Sequence, residues 1–311
     1  MNAARPTPGC LQPDVPPATD ERKAVRRLGV DVVYRVRRAR GAPRAAPVVC
    51  LHGLASNMSR WAEFSRETTL AARHDLIRID LRGHGESMTR QPFDLRVWSD
   101  DLALLLDHEH AERAYLVGHS LGATLALTFA LRCPDRVAGL VLIDPVFREA
   151  VASDQARYVR HAPLIAWTAR LVRALTRIGL YRRTLAPLDL EQLDRQARRA
   201  LADPGQLDAF VRRYSSARED LRHIPHANYL QDLVELFRPL PALRPVRAPV
   251  LALRSTISGF QDEAAVRRRL GELSDCQVEP IHCHHWPLTE RPAEVRHLIE
   301  GWIAARGRGY R

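Results

Sequence analysis

Lysine is all but absent. Lys23 is the single lysine among 47 basic residues in a chain of 311, so arginine carries the formal net charge of +11. Together with the many alanines, this points to a genome-wide compositional bias rather than to a charged ligand. No recognised nucleic-acid module accompanies the charge, so no nucleic-acid partner is expected. Cysteine is also scarce: Cys10, Cys50, Cys133, Cys276 and Cys283 form an odd, scattered set. That argues against a disulfide framework and for reduced thiols. No apolar run approaches the ~18 residues of a transmembrane helix, so no membrane span is expected. The N-terminus lacks the charged-then-apolar layout of a secretory signal, and the expected compartment is the cytoplasm. Pro6, Pro8, Pro13, Pro16 and Pro17 instead mark residues 1–20 as a disordered proline-rich tail.

What the chain does contain is a rhythm of strands and helices. The segment from Val30, VDVVYRVRRA, alternates apolar and polar residues like a strand with one wet face. Short apolar runs follow at 46–53, 74–85, 114–122, 136–145 and 247–255, with a weaker one at 276–284. Pro280 suits that last run to an edge or a bend. Helical patterns lie at 94–111, 121–133, 262–273 and 292–306, and the second is apolar on all sides, so it should be buried. Continuous apolar strands alternating with helices predict an α/β fold with a mostly parallel, doubly wound sheet.

The rhythm breaks between about 147 and 245. This stretch holds no convincing strand and reads as helices broken at Pro163, Pro187, Pro204, Pro225 and Pro239. It is expected to be a helical cap inserted into a core formed by residues 21–146 and 246–311. Within it, Leu164, Trp167, Leu171, Val172, Leu175 and Ile178 share helical spacing, with Arg170, Arg173 and Arg177 on another face. Such a basic amphipathic helix suits a membrane surface, but the expectation favoured here is that it packs over the pocket.

The chemistry centres on Gly118-His-Ser120-Leu-Gly122, between a strand and a helix, which matches a nucleophile elbow. Serine needs a base to take its proton. The turn holds the hydroxyl above the sheet and opens a helix, so the Leu121 N–H faces the site. His52-Gly53 ends an earlier strand, and the Leu54 N–H is the second candidate oxyanion donor; His52 itself is expected to brace the loop. The run DLRGHGES, 80–87, is glycine-rich but lacks the lysine of a phosphate-binding loop. Asp80, Arg82 and His84 read as bracing groups.

His-Gly at 52–53, DLRGHGES, GHSLG and the late HWPLTERP occur in an order and spacing that resembles the α/β-hydrolase fold superfamily over residues 25–306. The resemblance implies a sheet of about eight strands with an inserted cap, a serine nucleophile at Ser120 and a general base at His285. His284 stands where the family usually has glycine. The run HCHH, 282–285, also raises a metal cluster, but strand alternation splits its ligands and no matching pair occurs elsewhere; no metal and no cofactor are expected.

The acid is the open point. In the family it usually follows the strand that here ends PVLALRS, yet Gly259 occupies the expected position. Asp144, at the end of VLID, is the favoured carboxylate; Asp262, which also reads as a helix cap, is the second choice, and no working acid the third. Losing the acid costs roughly 10⁴ in kcat. The leading expectation is therefore a serine esterase or thioesterase acting on a small-molecule acyl substrate. A non-hydrolytic enzyme on the same frame (a lyase, a cofactor-free oxygenase or a cyclase) and a non-catalytic ligand-binding protein are the alternatives. Residues 146–245 hold 17 Arg against 11 Asp plus Glu. A basic rim would suit an acyl carrier protein or a coenzyme A ester.

Overall fold

A computed structural model of the chain describes residues 20–41, 45–152, 159–201, 204–257 and 259–307. The expected tail, Cys10 included, lies outside the described residues except for Asp20. The sheet has eight strands: β1 Glu21–Arg27, β2 Val30–Arg37, β3 Ala45–Leu51, β4 His74–Ile79, β5 Ala114–His119, β6 Val137–Ile143, β7 Val250–Ser255 and β8 Cys276–Ile281. Their order is β1-β2-β4-β3-β5-β6-β7-β8. The pairs β1/β2 and β2/β4 are antiparallel, and every pairing from β4 to β8 is parallel.

β1 is the strand that the apolar pattern passes over. Five of its seven residues are charged, and it pairs only with β2 at the sheet edge. Charge suits an edge, where it discourages pairing with another chain. Inner strands carry apolar side chains on both faces because both are covered. Along β3, Val49 and Leu51 point into one core layer and Val48 and Cys50 into the other; Leu116 against Val117, and Leu142 against Val141, repeat the alternation on β5 and β6.

One layer is closed by α2 Leu95–His108 and α3 Leu121–Arg132, the other by α1 Ala62–Glu67 and the C-terminal helix Pro292–Gly307. As its all-apolar sequence predicts, α3 is buried around its circumference, from Leu121 through Leu127 and at Phe129 and Ala130.

Between β6 and β7 the described elements are helical: α4 Ala162–Arg177, α5 Leu190–Leu201, α6 Leu207–Tyr214, α7 Ala217–Asp220 and α8 His226–Leu236. They are followed by α9 Glu263–Leu270, α10 Pro287–Glu290 and α11, the C-terminal helix already given. α4 does not pack as its sequence suggests. Its large apolar side chains face solvent, with Trp167 59% and Leu164 58% exposed, whereas Ala169 and Arg173 are buried. Arg173 turns inward because backbone carbonyls await it: it donates to Arg90 O and Gln91 O, each at 2.7 Å, and to Ala227 O at 3.3 Å. Among the described residues, no helix is long and apolar enough to cross a membrane.

Candidate active site

The carboxyl ends of the parallel strands meet where such sheets bind ligands. Ser120 follows β5, Asp144 follows β6, and His285 lies on the turn after β8. Ser120 has φ 53° and ψ −114°, a conformation that few residues other than glycine adopt. Sterics explain the flanking glycines: a Cβ on Gly118 would sit 2.3 Å from Gly122 O, and one on Gly122 2.3 Å from Leu51 O. Elbow, helix and strand are in backbone contact, and nothing larger fits. Among the described residues five non-glycines have positive φ, and three of them, Ala55, Ser120 and Asp144, lie at this site. Such strain costs about 1–3 kcal/mol each and gathers where geometry serves function.

The structure brings the sequence-predicted residues together. His285 Nε2 lies 3.0 Å from Ser120 Oγ, and His285 Nδ1 is hydrogen-bonded to Asp144 Oδ2. With Nδ1–H donating to the carboxylate, Nε2 is left to accept the serine proton. Asp144 is 1% exposed. Its Oδ1 accepts the Ser255 N–H at 3.2 Å and lies 3.4 Å from the Arg254 guanidinium. Burial pushes its carboxyl up, but His285 and Arg254 outweigh that and hold it below the usual carboxylate range. Asp262 is not part of this arrangement: it caps α9, its Oδ1 accepting the Ala265 N–H at 2.7 Å. Gly259 has φ 58° and open space around it.

The candidate oxyanion donors flank the serine. The Leu121 N–H is at the first position of α3, where no intrahelical carbonyl reaches it. Leu54 lines the same cavity as Ser120. His52 takes part in no proton exchange with the site: its Nε2 accepts the Leu81 N–H at 3.1 Å and its Nδ1–H donates to Gly53 O at 2.9 Å. Burial pushes its pKa well below the ordinary value, keeping it neutral. Asp80 receives the N–H groups of Met58 and Glu86 at 2.6 and 2.7 Å, and Arg82 forks onto Asp101 at 2.7 and 2.8 Å. The residues of HCHH turn to separate partners: His282 to Thr256, Cys283 to Ser255, His284 to Glu290 and His285 to Asp144.

Three groups position the site, and the sequence assigns this task to none of them. His119, pushed down to about 3 by burial and by His285 beside it, is neutral, and its Nε2–H donates to the His285 carbonyl at 2.9 Å. Glu290 accepts the His284 N–H at 3.0 Å, fixing the turn that carries His285. Asp232 on α8 bonds to His84 Nε2 at 2.8 Å and accepts the Ala55 N–H at 3.3 Å, next to Leu54, the candidate donor. Glu290 lies inside HWPLTERP and His119 inside GHSLG, whereas Asp232 is 177 residues from Ala55 and has no local motif.

A cavity of about 1030 Å³ opens above Ser120. Its apolar lining includes Val146, Leu233, Leu236, Phe237, Phe260 and Trp286, while α5 and α6 contribute Leu190, Leu193, Val211 and Tyr214. Its charges are mixed rather than basic: Arg60 and Arg213 share the lining with Asp189, Glu219 and Asp220. Burial, with Asp232 and Glu219 nearby, pushes the Asp220 carboxyl up to about 7.

A sequence model described as the α/β hydrolase fold matches residues 46–292. The lipase LipV of Mycobacterium tuberculosis is 29% identical over 86% of this chain and 96% of its own length. An acetyltransferase component of the acetoin cleaving system of Pseudomonas putida is 38% identical over 33% of this chain, and the match spans only 28% of that protein. Among solved structures, a bacterial membrane phospholipase A superposes with TM-score 0.66 at 21% identity, covering 93% of this chain and 87% of that one. The enol-lactonase of Burkholderia xenovorans gives 0.64 at 18%, covering 91% and 100%.

Proposed function

The chain belongs to the α/β hydrolase fold family, and from that premise we propose that it is a serine hydrolase of carboxylic esters or thioesters. The observation that carries this is the line Ser120 Oγ–His285–Asp144, with Nε2 3.0 Å from the hydroxyl and both Ser120 and His285 lining the cavity. Ser120 Oγ attacks the acyl carbon while His285 Nε2 takes its proton. The carbonyl oxygen, now negative, is held by the N–H groups of Leu54 and Leu121. Asp144 keeps the imidazole in the productive tautomer and stabilises its cation. The imidazolium returns the proton to the departing alcohol or thiol, leaving an acyl-Ser120. Water, deprotonated by His285, then releases the acid.

The apolar lining and its size favour an acyl chain of several carbons, and the likeness to a lipase along almost its full length supports an ester. The mixed charges of the lining give no preference for a carrier protein or a coenzyme A ester, so the substrate proposed is an uncharged ester. With nitrophenyl esters of graded chain length, wild-type protein should show a burst equal to the active sites and then steady turnover. Ser120→Ala should lower kcat by several powers of ten. Substantial activity left in that variant would instead make His285 a base acting directly on substrate, as in a lyase.

A further inference from the structure

α4 shows water the face that a soluble helix buries. Leu164, Trp167, Leu171 and Leu175 are 58, 59, 43 and 38% exposed, and Ile178, Leu180 and Tyr181 just beyond are 72, 63 and 42% exposed. At about 100° per residue, positions 164, 167, 171, 175 and 178 fall within an arc of about 80°, so they form one stripe. The opposite face is fastened down by Ala169 and by Arg173, whose guanidinium also lies 5.6 Å from the Phe93 ring centre. The helix cannot roll the stripe inward without breaking the three Arg173 hydrogen bonds.

Charge singles out the occupant. Residues 159–188 contain no Asp or Glu, while Arg160, Arg170, Arg177, Arg182 and Arg183 are exposed. Several exposed arginines elsewhere are paired with an acidic neighbour, such as Arg195 with Glu191, Arg222 with Glu219 and Arg267 with Glu263. By the helical angle, Arg170 and Arg177 flank the stripe on one side, where long side chains can reach from an apolar layer to its charged boundary. An apolar stripe beside a polybasic patch supplies the two signals that reversible attachment to an anionic bilayer requires. A second copy of the chain fits poorly, because a two-fold contact would set arginine against arginine.

We propose that α4 and the turn to Tyr181 form a docking surface for anionic lipid membranes, lying in the interface with Trp167 and its neighbours in the acyl boundary. α4 packs against α8, and α8 lines the cavity through Tyr229, Leu233 and Leu236. The docked surface is thus one helix away from the site. This inference does not rest on the hydrolase reading.

The test is flotation of the full chain with vesicles of phosphatidylcholine alone or mixed with phosphatidylglycerol. The protein should float with the anionic vesicles and be released by about 0.5 M salt. Trp167→Ser with Leu171→Ser should weaken partitioning about ten-fold or more, and Arg170→Gln or Arg177→Gln about five-fold each. Circular dichroism melts check that these surface variants stay folded. Failure to float with anionic vesicles overturns the proposal, as does equal binding by the Trp167/Leu171 variant. So does a concentration-dependent dimer that this variant abolishes without any vesicle binding, which would assign the face to a second copy.

Discussion

Asp144 gives Oδ1 to the Ser255 N–H and Arg254, leaving Oδ2 for His285. Asp262 gives Oδ1 to the start of α9. In sequence Asp144 directly follows β6 and Asp262 comes seven residues after β7, and their surroundings tell them apart. Asp144→Asn should keep the fold but lower kcat about 10⁴-fold, because an amide can hold the wrong tautomer. Asp262→Ala should leave kcat unchanged and cost about 1 kcal/mol of stability through the lost cap. Steady-state kinetics and urea denaturation of the two variants check the pair. If Asp262→Ala abolished turnover and Asp144→Asn did not, the acid would have to be reassigned. The sequence favours Asp144 over Asp262 but does not decide between them, since the choice depends on which strand lies beside β5.

Elements were legible to the degree that water leaves a pattern on them. The inner strands announce themselves as unbroken apolar runs, and α3 as a helix apolar all round. β1 does not, since a charged edge strand has too little to bury. α8 hides its purpose differently. Asn228, Asp232 and Glu235, at helical spacing, are buried and brace core loops, while Tyr229, Leu233 and Leu236 form the adjoining face on the cavity. A polar stripe of this kind reads as solvent-facing unless its partners are known. α4 errs in the opposite sense, its apolar stripe exposed because Arg173 finds carbonyls inward. At the elbow, sequence and structure agree for a steric reason that can be tested. Gly122→Ala would drive a methyl group to 2.3 Å from Leu51 O and 2.7 Å from His52 O. Its cost should exceed about 3 kcal/mol, read as a loss of soluble, folded protein or a sharply lower melting temperature.

At the scale of the whole molecule, one buried cluster joins segments that are far apart in the chain. Asp194 of α5 meets Arg60, accepts the hydroxyl of Tyr214 of α6 at 2.8 Å, and accepts that of Thr289 of α10 at 3.0 Å. Arg60 and Asp194 side chains are 8 and 5% exposed. Asp194→Asn would leave the arginine buried without its counter-charge, a loss of about 3–5 kcal/mol. Urea denaturation should show that loss, and KM should rise as α5 and α6 loosen over the cavity. No spacing rule links positions 60, 194, 214 and 289, so this contact belongs to the fold and not to any motif. The same distances set an order in time. Ser120 and Asp144 stand on adjacent strands, β5 and β6, both complete before the helical stretch begins, whereas His285 comes 141 residues after Asp144. In the proposed mechanism, a chain growing from its N-terminus therefore carries Ser120 and Asp144 without a base over the 141 residues that separate Asp144 from His285. On that reading, activity toward esters waits until β8 has joined β7 and the final turn has brought His285 to Ser120.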